Sequence, residues 1–372
     1  MRLRLTALVV LACTAALLLA SSGGARPKVP NGFFGVVPQT TLTEEDVRYM
    51  KAGGIESVRV PMFWSEIQPT AKGGYNWSGV DQAIMIAAGA GLRVLPTLGT
   101  TPGWVASKAT TLPVKNARQR AAWTAFVRAA VQRYGPGGEF WTEHAPGGVG
   151  YVPVISPSIP IRAWQIWNEP NFFYFAYPVS PASYAKLVTI SSKAIKQTSP
   201  NAKVVLAGLF GNPDESGKRG MDAAHFLNAL YRSPGIKSRF DAVALHPYAF
   251  HVDDLEKLTE KLRAVVRAHH DSGAGLYITE MGWGSQNDPN VVAFEQGLHG
   301  QVRELRGAYE YLLANRHRLN LKSVYWYAWK DNPAYVTCHF CDSVGLFRAG
   351  ARFHAKPAWR AFVGLTGGRA RP

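Results

Sequence analysis

The chain has 372 residues, 47% apolar and 18% charged, and its 41 Lys and Arg against 25 Asp and Glu give a formal charge of +16. That apolar share excludes a disordered polymer, and the length fits one α/β barrel with loop insertions without requiring a second domain. The positive surplus favours acidic surroundings, but the basic residues are scattered and form no nucleic-acid module, so nucleic acid is not an expected partner.

Arg2 and Arg4 precede an apolar run over residues 5–20, and Ser21, Ser22, Gly23, Gly24 and Ala25 follow. This is the layout of a secretory signal, and the run of about 16 residues falls short of the roughly 20 that cross a bilayer as a helix. Residues 1–25 are expected to be a signal peptide and 26–372 a single exported domain, secreted or held at the cell envelope, with no stable membrane insertion.

Beyond a tail rich in Gly, Ser and Pro at 21–30, β-prone runs at 33–37, 57–61, 93–98, 163–168, 203–207, 242–245, 276–279 and 323–328 alternate with helical patterns. Residues 135–160, rich in Gly and Pro, read as a long loop before the fourth strand. Ser180 and Pro181 open the helix that carries Tyr184, Leu187, Val188 and Ile195. Leu255, Leu258, Leu262, Val265 and Val266 recur at helical spacing behind Asp253 and Asp254, which can cap that helix and favour its positive end. Residues 356–365 read as a closing helix. Strand then helix, eight times over, predicts an α/β fold, a (β/α)8 TIM barrel in one domain. The rival, a doubly wound open sheet, lacks its Gly-x-Gly-x-x-Gly turn after the first strand.

Cys13 leaves with the signal, so Cys338 and Cys341 remain as a pair, and in an oxidising compartment a local disulfide is the default. A metal there would need His339 and Asp342 as well, where closed zinc sites take four well-spaced ligands. No metal or organic cofactor is expected.

Active sites of such barrels lie where strands end. The fourth strand ends in Trp167, Asn168, Glu169, Pro170 and Asn171, the seventh in Thr279, Glu280, Met281, Gly282 and Trp283. Asn-Glu-Pro alone is a weak signal and a Thr-Glu pair weaker still. Placed together on strands four and seven, however, the two acids face one mouth. Cleaving a glycosidic bond takes one carboxyl to protonate the leaving oxygen and another to attack or stabilise the cationic sugar carbon.

The run from Trp164 to Asn171 resembles strand four of glycoside hydrolase family 39 and its cellulase-like relatives, within the clan of retaining (β/α)8 glycoside hydrolases. That resemblance implies Glu169 as acid/base, Glu280 as nucleophile and Asn168 as the residue binding the sugar 2-hydroxyl. It further implies Arg59 beside the nucleophile, and His246 and Tyr248 lining the pocket. The family-39 xylosidases carry an extra β-sandwich that this chain lacks. A bare barrel points instead to endo action on a β-linked oligo- or polysaccharide, and Lys218, Arg219 and Lys330 suit an acidic one.

Aromatic residues extend the expected site. Trp329 shares its facing with Tyr327 on strand eight and lies nearest the mouth, which makes it the expected floor for a pyranose, with Trp326 in the core. Trp64, Trp104 and Trp283 at other strand ends, with Phe172 in the aromatic loop 171–177, suggest a cleft for several sugars. A retaining pair should stand about 5 to 5.5 Å apart, an inverting pair roughly 6.5 to 9.5 Å. A non-catalytic glycan-binding barrel should have lost one carboxylate, whereas a transglycosylase would keep both. A monomer is expected.

Overall fold

The computed structural model describes residues 27–148, 152–213, 216–287, 294–334, 338 and 340–372. Eight parallel strands close into one barrel in sequence order: β1 (Phe34–Val37), β2 (Ser57–Phe63), β3 (Arg93–Gly99), β4 (Ala163–Ile166), β5 (Lys203–Phe210), β6 (Ala242–His246), β7 (Gly275–Met281) and β8 (Leu321–Tyr327). β1 seals the ring by pairing with both β2 and β8. The eight runs read from sequence fall on these strands, with shifted ends. β4 stops two residues early because the backbone of Trp167 turns to a φ of 71°, outside the β region.

Helices follow the strands and cover the outside of the barrel. Pro181–Thr198 starts as the sequence indicates, the Ser180 hydroxyl accepting the Ser183 N–H. Its Tyr184 hydroxyl donates to the Ile166 carbonyl and accepts the Ala207 N–H, hooking the helix over β4 and β5. In Val252–Ala268, Asp253 and Asp254 sit in the first turn rather than at the cap, which is His251. They act on the positive helix end by charge alone. Residues 135–160 are not all loop, since Glu139–Glu143 forms a short helix that buries Phe140 and Trp141. The closing helix, Pro357–Thr366, is tied to the first helix, Glu44–Ala52, where the Thr366 hydroxyl donates to the Gly53 carbonyl at 2.6 Å.

Two apolar regions result. The larger lies between strands and helices, while a smaller one fills the lumen with Val37, Leu95, Tyr325 and Tyr327 above Val205, Ala242 and Ala244. Gly35 makes room for this lumen, for a Cβ there would lie 2.3 Å from the Tyr325 ring. Cys338 and Cys341 form the expected disulfide. Residues 1–25, expected to be a signal peptide, and His339 lie outside the described residues. Among the described residues no helix is long and apolar enough to cross a membrane.

Candidate active site

At the C-terminal rim the backbone is held in conformations that side chains disfavour. Past β4, φ is positive at Trp167 and again at Glu169, at 38°, each costing on the order of 1 kcal/mol or more. Such a path persists only where its surroundings over-determine it. The Trp167 N–H bonds the Leu98 carbonyl at 2.7 Å, and the Glu169 N–H bonds Gly208 at 3.2 Å. Asn171, fully buried, clamps the loop to β5, donating to the carbonyls of Phe210 and Met221 at 2.7 and 2.8 Å and accepting the Phe210 N–H.

The seventh strand needs a different device. Strict alternation would turn Thr279 and Glu280 to opposite faces. Between the pairs Ile278 with Val324 and Met281 with Trp326, β7 uses one residue more than β8. This irregularity re-aims the strand end, so that both side chains reach the lumen.

Glu169, Glu280 and His246 consequently offer ligand atoms that all lie within 4.8 Å of one another, every residue buried. Arg59, on β2, bonds Glu280 through one terminal nitrogen, Asn168 Oδ1 through the other at 2.7 Å and Gln165 Oε1 through Nε at 2.7 Å. The Tyr248 hydroxyl donates to the second oxygen of Glu280 at 2.8 Å. His246 Nδ1 lies 2.6 Å from Glu169 Oε1, and its Nε2 lies 2.9 Å from the Thr279 hydroxyl. Gly208 permits this close fit, since a Cβ there would come within 1.9 Å of His246 Nε2.

These neighbours make the two carboxyls unequal. Burial and then the Glu280 charge push Glu169 well above the usual carboxylate range, opposed only by Arg59. Burial raises Glu280 too, but Arg59 and the Tyr248 hydroxyl counter it. Glu169 is therefore the member that holds a proton more tightly, and Glu280 the one that ionises more readily. Burial, then Arg59, depresses His246 well below its ordinary value, which leaves the ring neutral. The three donor atoms have the spacing of a metal site. Glu280 is already bound by a fixed guanidinium whose charge would oppose a dication, so the set fits a metal poorly.

The structure brings Arg59, Asn168, Glu169, His246, Tyr248 and Glu280 together, as the sequence indicates. It does not bring the tryptophans. Trp329 is a correction: β8 ends at Tyr327, so alternation does not carry two residues further. Its indole is buried against Phe347 and Trp359 and donates to Asp46 at 2.8 Å. Trp64, enclosed by Trp104, Trp123 and Phe126, is core. Trp283 is buried and holds the loop after β6 by donating to the Ala249 carbonyl. Trp104 is half-buried and edge-on to Trp64. Phe172 stacks on Phe210, which leans on Tyr248. Lys330 is buried 2.7 Å from Asp46, Lys218 is exposed, and Arg219, also exposed, lays its guanidinium over the Phe173 ring at 3.7 Å.

Three residues with no sequence signal complete the site. Gln165 and Thr279 read as ordinary strand positions, and Tyr327, the last residue of β8, packs its ring edge-on to Tyr248. Substituting Trp329 by Ala should lower stability by about 3–5 kcal/mol, the range for emptying a buried indole site. Thermal unfolding measures that loss, and an unchanged KM for substrate separates a core residue from a sugar platform.

A family model described as Beta-galactosidase, Glyco_hydro_42, matches residues 36–132. Comparison with curated proteins gave no match. Among solved structures, a family 39 glycoside hydrolase from the gut symbiont Bacteroides cellulosilyticus WH2 superposes with a TM-score of 0.63 at 16% identity, covering 92% of this chain and 65% of its own. A monomeric beta-xylosidase from Caulobacter crescentus CB15 gives 0.62 at 19% identity over 91% of this chain and 68% of that one. An endo-beta-1,4-glucanase from Xanthomonas axonopodis pv. citri gives 0.57 at 14% identity, covering 90% of this chain and 98% of the other. This chain thus spans just under two thirds of the Bacteroides protein and nearly all of the glucanase. The resemblance to the barrel glycoside hydrolases read from strand four is borne out by these neighbours and by the fold.

Proposed function

We propose that the protein is a retaining β-glycoside hydrolase, with Glu280 as nucleophile and Glu169 as acid/base. The observation that carries this is the nearness of the two carboxylates: one oxygen of each lies within 4.8 Å of the other, which supports the close spacing of a retaining pair over the wider gap of an inverting one. Glu280, ionised against Arg59, attacks the anomeric carbon as Glu169 protonates the departing oxygen. Glu169 then takes a proton from water, which cleaves the glycosyl-enzyme.

Substrate placement follows from what is already bonded. Asn168 gives its oxygen to Arg59, so its amide N–H is what remains for the sugar 2-hydroxyl. Tyr327, in place of Trp329, floors the pocket, and Phe172 and Trp104 remain candidates for outer positions. Exposed Phe63 ends β2, and exposed Tyr174, Tyr177 and Phe250 follow β4 and β6, where aromatic faces suit a chain of several sugars. They support endo action on a β-linked polysaccharide, as does the full-length match to a glucanase barrel. Lys218 and Arg219 suit acidic sugars. The leader-like N-terminus and the disulfide support an exported enzyme.

Activity should show a bell-shaped pH dependence displaced upward from ordinary carboxylate chemistry. The rate rises as Glu280 loses its proton and falls as Glu169 loses its own, and burial raises both. A kcat/KM profile on an aryl β-glycoside tests this, and an optimum at or below the ordinary carboxylate range would contradict it. The decisive experiment follows hydrolysis of β-glucans and aryl β-glycosides by proton NMR. A first-formed product of β configuration supports retention, whereas an α product removes the mechanism.

A further inference from the structure

Beneath the carboxylates the buried hydrogen bonds have a direction. A guanidinium only donates, so Arg59 Nε, 2.7 Å from Gln165, fixes that amide with its oxygen toward Arg59. The Thr97 hydroxyl, 3.1 Å from the same oxygen, agrees. The Gln165 nitrogen must then face the other way, donating to the Leu206 carbonyl at 3.1 Å and to the Thr279 hydroxyl at 3.2 Å. Thr279 accepts there, and its own hydrogen can go to His246 Nε2, 2.9 Å away, provided that nitrogen carries no proton. A neutral imidazole that accepts at Nε2 carries its proton on Nδ1, and Nδ1 lies 2.6 Å from Glu169 Oε1.

We propose that Gln165 is a positioning residue which, through Thr279, holds His246 as the Nδ1–H tautomer and so keeps the Glu169 proton on Oε2. The inference rests on the reading of Glu169 as acid/base. With Oε1 already accepting from His246, the carboxyl proton has one place to go, the oxygen left free for the sugar. In the opposite tautomer, Nε2–H would donate to Thr279 and leave the threonine hydrogen without an acceptor among the described bonds, which burial penalises. Nδ1 would then bind the Glu169 proton that the leaving group requires. The relay needs a side chain at 165 that accepts on one side and donates on the other. Glutamine does both, and glutamate does not.

The test is spectroscopic and needs no substrate. In protein carrying 15N-labelled histidine, two-bond nitrogen–proton correlations report which ring nitrogen is protonated, with the His246 signals assigned by their loss in His246→Gln. Wild type should show Nδ1–H. In Gln165→Glu the carboxylate draws the Thr279 hydrogen to itself and His246 should switch to Nε2–H. In Thr279→Val, close to threonine in shape and free of any charge change, the single tautomer should give way to a mixture. Wild type with Nε2–H, or an Nδ1–H state that persists in both variants, overturns the relay. Kinetics add a second reading. Gln165→Glu should lose kcat/KM on glycosides with poor leaving groups by about tenfold more than on dinitrophenyl glycosides, which leave without a proton. A protein with the expected spectra that cleaves no glycoside refutes the proposed function and leaves the relay standing. An active glycosidase with the wrong tautomer does the reverse.

Discussion

Glu280→Gln should lower kcat/KM on an aryl β-glycoside by on the order of 10⁴-fold to 10⁶-fold, because no other group in the site can form the covalent intermediate. The fold should survive, since a glutamine oxygen still accepts from Arg59 and the amide nitrogen can donate to the Tyr248 hydroxyl, which turns from donor to acceptor, so both partners that Glu280 now binds stay bonded. Removing the whole side chain, as in Glu280→Gly, opens space beside the anomeric carbon, which a small anion can fill. With added azide that variant should therefore recover activity on activated substrates and release the α-glycosyl azide, the product of one displacement instead of two. A β-azide from it, or retained activity in Glu280→Gln, would mean that the nucleophile lies elsewhere.

The second large effect belongs to Glu169 and depends on the leaving group. Glu169→Gln should cost roughly 10²-fold to 10⁴-fold with a sugar or alkyl leaving group, the range for losing a general acid. With dinitrophenolate the first step should be nearly spared, so glycosyl-enzyme accumulates in a burst and its hydrolysis limits turnover. The same variant should be more stable than wild type near neutral pH. Burial raises the native pKa of Glu169 above its unfolded value, so the native state holds a proton that the unfolded chain has given up. Stability is then greatest below the unfolded pKa and declines as pH rises from there toward the native pKa. Glutamine cannot ionise and escapes that decline. Melting curves of the two proteins should diverge as pH is raised through the carboxylate range, with the variant above.

Much of this site was legible in the sequence for a simple reason. A (β/α)8 barrel places each strand's C-terminal end at one mouth, so finding eight strands was enough to bring Glu169 and Glu280 together without knowing any distance. What stayed hidden lies where a strand departs from regular geometry. Trp329 was assigned by alternation, but the strand ends two residues before it. The opposite error was avoided by chance at Glu280, which shares the lumen with Thr279 through an added residue in β7 that no periodicity reveals. Gln165 was invisible for another cause: an amide on a strand resembles any polar core residue until its partners are known. The tryptophans misled because their size suits a sugar platform and a hydrophobic core equally well, and here Trp64 and Trp283 went to the core.

The guanidinium of Arg59, wedged between Asn168, Gln165 and Glu280, has a further consequence if the proposed double displacement is followed around its cycle. Before reaction the pocket holds one cation, one anion and one neutral acid. In the glycosyl-enzyme Glu280 is an uncharged ester, but Glu169 has surrendered its proton, and the formal total is again zero. Negative charge thus migrates from one wall of the pocket to the other past a stationary cation. A dry interior, which would resist the appearance of an extra ion, is never asked to accept one.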